Sequence, residues 1–77
     1  MAKKPYTKDY LLTKISWKIK ALRKSAGYTS YETFAIDHDI DRKQYWRAEN
    51  GSNLTIHSLM QILNKHKISM EDFFKDI

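Results

Sequence analysis

The sequence predicts an all-α fold, on three observations. Only two glycines and one proline interrupt the 77 residues. Apolar residues recur at helical spacing. No run shows the alternation with period two that marks a half-buried strand.

Residues 1–8 hold Pro5 with Lys3, Lys4 and Lys8, and read as a flexible basic arm. The spacing then predicts a helix from near Tyr10 to Ala26. Leu12, Ile15, Ile19, Leu22 and Ala26 share one stripe of it. Gly27 follows, where a helix often closes on a left-handed residue. A second helix is expected from about Ser30 to His38, with Phe34 and Ala35 facing inward. Asp39-Ile40-Asp41 makes a short connection. Asp41 is a good N-cap for a third helix over Arg42 to Glu49. Asn50-Gly51-Ser52-Asn53 reads as a turn. Thr55 caps a fourth helix carrying Ile56, Leu59, Ile62 and Leu63. Ser69, with Asp72 three residues on, approximates a capping box and opens a short final helix with Met70, Phe73 and Phe74. Residues 9–77 thus form one domain of five helices. Its second and third are joined as a helix-turn-helix.

The length suits one small domain and argues against a catalytic cleft between two lobes. The chain has no cysteine, which excludes disulfides and a Cys-based zinc site and suits a reducing compartment. No apolar run approaches the roughly 18 residues of a membrane span. Leu11-Leu12 gives way at once to Thr13-Lys14, so no signal-peptide core follows the lysines. A cytoplasmic protein with no membrane partner is expected. Charge is uneven. Residues 1–27 carry eight Lys/Arg against Asp9 alone, whereas residues 28–77 carry six bases and eight acids. A basic half followed by a mixed one suits a polyanionic partner, and equally a solvated lysine face.

The third helix carries the most information. At about 100° per residue, Tyr45, Ala48 and Glu49 cluster on one side. Lys43 and Arg47 lie opposite, one turn apart, flanked by Gln44, with Arg42 at the N-terminal end. Arg and Lys donate to guanine N7 and O6, and Gln pairs bidentately with adenine, so this front suits a DNA major groove. Trp46 borders it, placed either against a sugar-phosphate backbone or at the edge of the core.

With these residues in place, the chain resembles the Cro/repressor-type, XRE-like helix-turn-helix family over about residues 15–74. The resemblance rests on Leu22-Arg23, Gly27, Phe34-Ala35, Ile40-Asp41, Glu49-Asn50-Gly51, Leu59 and Ile68-Ser69-Met70-Glu71-Asp72-Phe73. It implies a five-helix, lambda-repressor-like bundle that binds double-stranded DNA as a transcriptional regulator. It also implies base contacts from Arg42 and Lys43, base or phosphate contacts from Arg47, and phosphate contacts from Ser30 and Tyr31. Gln44 is grouped with the base contacts. Trp46, Lys3 and Lys4 are grouped with the backbone contacts. An Arg23–Glu49 pair is implied as well, and the helical wheel supports it independently. A homodimer on a palindromic operator follows, with Phe73, Phe74 and Ile77 as candidate contacts, while Phe34, Tyr45, Phe73 and Phe74 read most simply as core. The family also contains antitoxin-like proteins that bind a toxin and their own promoter. A helical interaction module without DNA binding is the reading from another class. The chain departs from the pattern at four places. The step from Gly27 to Phe34 is one residue longer, which displaces the start of helix 2. Asp39 stands for the usual turn glycine and tolerates the left-handed region. His38 and His66 stand for leucines. As partly buried histidines they should lower stability below about pH 6.

Asp37-x-Asp39-x-Asp41 opens like a calcium loop, but Arg42 occupies the glycine position and Ala48 the twelfth. His38, His57 and His66 lack the spacing of a zinc helix. No enzyme activity, metal or cofactor is expected. No small-molecule effector is expected either, since no ligand domain follows the helix-turn-helix. Trp17 lies opposite the first helix's stripe. It packs on the arm or on a loop such as that of Tyr28, or it contacts another protein.

Overall fold

The computed structural model describes residues 7–52, 54–75 and 77, and every regular element among them is a helix. They are α1 (Lys8–Ser25), α2 (Tyr31–Asp37), α3 (Arg42–Glu49), α4 (Ile56–Lys65) and α5 (Met70–Phe73). α3 has the range the sequence predicts. α1 starts two residues earlier than expected, because Thr7 caps it by accepting the Tyr10 N–H at 3.1 Å. Of the expected arm, only Thr7 and Lys8 fall within the described residues.

Each other helix also opens on a side-chain oxygen. Ser30 accepts from the Glu32 and Thr33 N–H groups, Asp41 from Gln44, Thr55 from Ser58 and Ser69 from Asp72. Each cap satisfies a backbone donor that has no intrahelical partner. Three helix ends share another device. Tyr28 donates to the Arg23 carbonyl at 3.2 Å and Gly27 to Lys24 at 3.0 Å. Ile40 and Asp39 repeat the pattern on Ala35 and Ile36, as do Ile68 and Lys67 on Leu63 and Asn64. This closure requires a left-handed residue. Gly27 (φ 93°), Asp39 (φ 56°) and Lys67 (φ 57°) occupy those positions.

α3 packs against both α1 and α2, α4 packs on α3, and α5 packs on α4. Ile19, Phe34, Ala35, Tyr45, Ala48, Ile62, Leu63 and Phe73 are almost wholly shielded from solvent. Burying such a side chain contributes about 1.5–3 kcal/mol each for the larger ones. The Phe34 ring is central. His38 and His66 stack on it at 4.1 and 4.8 Å, Tyr28 meets it edge-on at 5.1 Å, and Tyr45 lies at 5.0 Å. The two histidines in place of leucines therefore form part of the ring stack around the core.

Two side chains with alternative readings take definite positions. Phe73 is fully buried and offers nothing to a second copy. Its carbonyl accepts a hydrogen bond from the Lys18 ammonium, which also lies 5.2 Å from its ring centre, so α5 is fastened to α1. Phe74 and Ile77 are half-buried against the core. Trp17 is 64% exposed and does not meet Tyr28, whose ring turns to Phe34. The Lys14 ammonium lies 5.8 Å from the Trp17 ring instead. Among the described residues, no helix is long and apolar enough to cross a membrane.

Candidate nucleic-acid interface

The α2–turn–α3 unit is held from behind. On α3, Tyr45 and Ala48 are fully buried and Glu49 nearly so. Their spacing puts them on one face, which forces Lys43, Trp46 and Arg47 outward. Those three are exposed, as is Arg42 in the first turn. The exposed front of an eight-residue helix thus carries three cations and one indole.

A buried ion pair fixes this helix to α1. Arg23 Nε donates to Glu49 Oε2 at 2.6 Å and Nη2 to Oε1 at 3.0 Å. Nη1 donates to the Tyr28 carbonyl at 3.0 Å. The two side chains are only 7% and 3% exposed. Hydrogen bonding to Glu49 holds the guanidinium charged against the opposing effect of burial. Tyr45 lies beside the pair. Burial first, then the Glu49 carboxylate, pushes its hydroxyl pKa far above the usual phenol value. The bidentate geometry fixes the relative rotation of α1 and α3, because a planar fork meets a carboxylate in few orientations.

Gln44 is placed differently from its neighbours. It is half-buried and its side-chain amide donates to the Ser58 hydroxyl on α4. Thr55 donates to the same hydroxyl at 3.0 Å. Gln44 therefore ties α3 to α4 in this structure, and its amide is not presented alongside Lys43 and Arg47. A helical wheel places a side chain by angle alone and does not show an acceptor on the next helix.

The start of α2 lies beside the start of α3. Tyr31, Glu32, Arg42, Lys43 and Trp46 line one surface groove between them. Tyr31 is half-buried, and the Ser30 hydroxyl is engaged in capping α2. Arg42 Nη1 lies 3.3 Å from Glu32 Oε2, with both side chains largely in solvent. Sequence reading missed Glu32. An acid in the first turn of a helix looks like a dipole partner, and its cation lies ten residues away on another helix. Lys3 and Lys4 lie outside the described residues. The three aspartates of the calcium-like spacing have separate positions and tasks. Asp37 accepts the Tyr28 hydroxyl at 2.9 Å, Asp39 turns the chain at positive φ, and Asp41 caps α3.

The chain is 38% identical over 61 residues to "Control protein C.MunI" from a Mycoplasma species, an alignment covering 78% of this chain and 82% of that one. The chain belongs to this control-protein family. Together with the α2–turn–α3 geometry, the kinship places it among helix-turn-helix regulators. No family model matches the chain, and no solved structure matches it.

Proposed function

We propose that this control protein is a Cro/repressor-type transcriptional regulator, of the kind that controls restriction–modification genes, and that it binds an operator in double-stranded DNA through α3. The observation that carries this reading is the exposed cationic front of α3, braced from behind by the buried Arg23–Glu49 pair. α3 enters the major groove. Arg42 and Lys43 read base edges, with guanine as the preferred partner. Arg47, one turn on, reaches a base or a phosphate. Tyr31 and Trp46 lie where the groove walls would be and contact the backbone, as does the capped start of α2 at Ser30. Gln44 is reassigned from base reading to holding α3 on α4. The lysines of α1, with Lys3 and Lys4 ahead of it, add attraction that sets no sequence. The reading assigns no catalytic step.

One such helix reads only a few base pairs, so the operator is a palindrome bound by two copies, with half-sites about 34 Å apart. Phe74 and Ile77, at the C-terminal end, are the contacts that remain for this dimer.

Selection from a pool of random duplexes tests the reading. The full chain should enrich a short motif repeated with two-fold symmetry, and Arg42→Ala/Lys43→Ala should enrich none. A pool that stays random under the wild-type chain overturns it.

A further inference from the structure

We infer that Glu32 is a specificity-determining residue, setting how strongly the protein prefers its operator over other DNA. The inference rests on the DNA-binding role of α3 proposed above. Two observations carry it. Glu32 Oε2 takes one N–H of Arg42, from Nη1, at 3.3 Å. Both side chains line the groove between the starts of α2 and α3, together with Tyr31, Lys43 and Trp46. Glu32 is thus an acid set among the residues that would meet DNA, and it holds one of the cations.

Arginine has five N–H donors in a fixed fork. One donor on Glu32 leaves the others for the O6 and N7 of a guanine. Arg42 can therefore keep its acid partner while reading a base, and that partner limits the angles at which the fork emerges. A phosphate is a different target. To neutralise one, Arg42 must bring phosphate oxygens close to the Glu32 carboxylate, or leave it. Either costs free energy, and nonspecific binding consists of just such phosphate contacts. Glu32 consequently penalises random DNA more than the operator. The pair contributes little to folding, since 62% and 50% of the two side chains are exposed. Its place in this groove is accounted for by what Arg42 does there.

The test uses the full chain and two duplexes, the one enriched by the wild type and a scrambled version of it. Binding is read by fluorescence anisotropy at fixed salt. Glu32→Gln should tighten binding to the scrambled duplex by roughly two- to fivefold, the range an exposed ion pair spans. The enriched-to-scrambled affinity ratio should shrink accordingly. Glu32→Asp, which keeps the charge but shortens the reach, should lower the ratio by weakening the enriched duplex. With Arg42→Ala already present, Glu32→Gln should no longer change the ratio. Circular dichroism confirms that each variant is folded. If Glu32→Gln tightens both duplexes by the same factor, or changes neither, the inference is overturned while the DNA-binding reading stands. If the wild type binds neither duplex, the DNA-binding reading falls and takes the inference with it.

Discussion

Arg23 divides its N–H groups between one carboxylate and one carbonyl, and almost none of that network touches water. Such a pair is worth little beyond an apolar substitute, because desolvation offsets its attraction. Breaking it is another matter. Glu49→Ala or Arg23→Ala leaves a buried charge without its partner and should cost about 3–5 kcal/mol in urea unfolding. Arg23→Met/Glu49→Leu should cost less than either single change. Costs that simply add would show that the pair is not coupled. At the same scale, burial lowers the pKa of His66, and the neighbouring His38 adds to the effect while Glu49 opposes it. An unfolded histidine titrates near pH 6.5. Above that value neither state takes the proton, and stability is at its full level. As pH falls through it, the unfolded chain is protonated first. Stability then declines until pH passes the lowered value of the folded state. Urea midpoints should therefore fall between pH 7.5 and 5, and fall less in His66→Leu. A flat wild-type profile would remove this account.

At the scale of elements, the helices are defined by their ends as much as by their apolar stripes. Asp41 caps the first turn of α3, its carboxylate accepting the Gln44 N–H at 3.0 Å. Asp41→Ala should cost about 1 kcal/mol. The opposite sign is expected at Lys67, a side-chain-bearing residue held at φ 57° where glycine is at ease. Lys67→Gly should stabilise the protein by about 0.5–1 kcal/mol, read from thermal unfolding. A loss of stability there would contradict the helix-end geometry. These ends explain much of what could be read from the sequence. Asp41, Thr55 and Ser69 announce helix starts locally, and Gly27 announces a stop, so α3 and α4 are legible from neighbouring residues alone. Lys67 gives no such signal, because lysine does not usually end a helix this way. Contacts between helices were legible only where one wheel pointed at another, as for Arg23 and Glu49. Gln44 with Ser58 and Arg42 with Glu32 depend on the crossing of α3 with α4 and α2, which no single-helix pattern encodes. Phe73 has two readings from sequence, core residue and dimer contact, because a single-helix pattern does not show what a terminal helix packs against. Its burial follows from how α5 folds back onto Lys18.

The whole molecule is a small bundle with its charge displaced to one end of the sequence. Eight of its 14 basic residues precede Tyr28, opposed there by Asp9 alone. On the proposed reading, that distribution draws the protein to any duplex, and α3 decides among duplexes. Two copies on one palindrome predict a sedimentation mass with enriched DNA equal to two chains plus one duplex. A complex of one chain per duplex would refute the two-copy arrangement and leave α3 in place.

The central claim, that α3 faces DNA, is tested most directly by binding to random duplex DNA across a salt series. The comparison is between the wild-type chain and Arg42→Ala/Lys43→Ala. Each neutralised phosphate adds about 0.9 to the slope of log affinity against log salt. The account predicts measurable wild-type binding at low salt, with weaker binding and a shallower slope in the double variant. No wild-type binding at about 50 mM salt, the low end of such a series, or the same slope in both proteins, would contradict it.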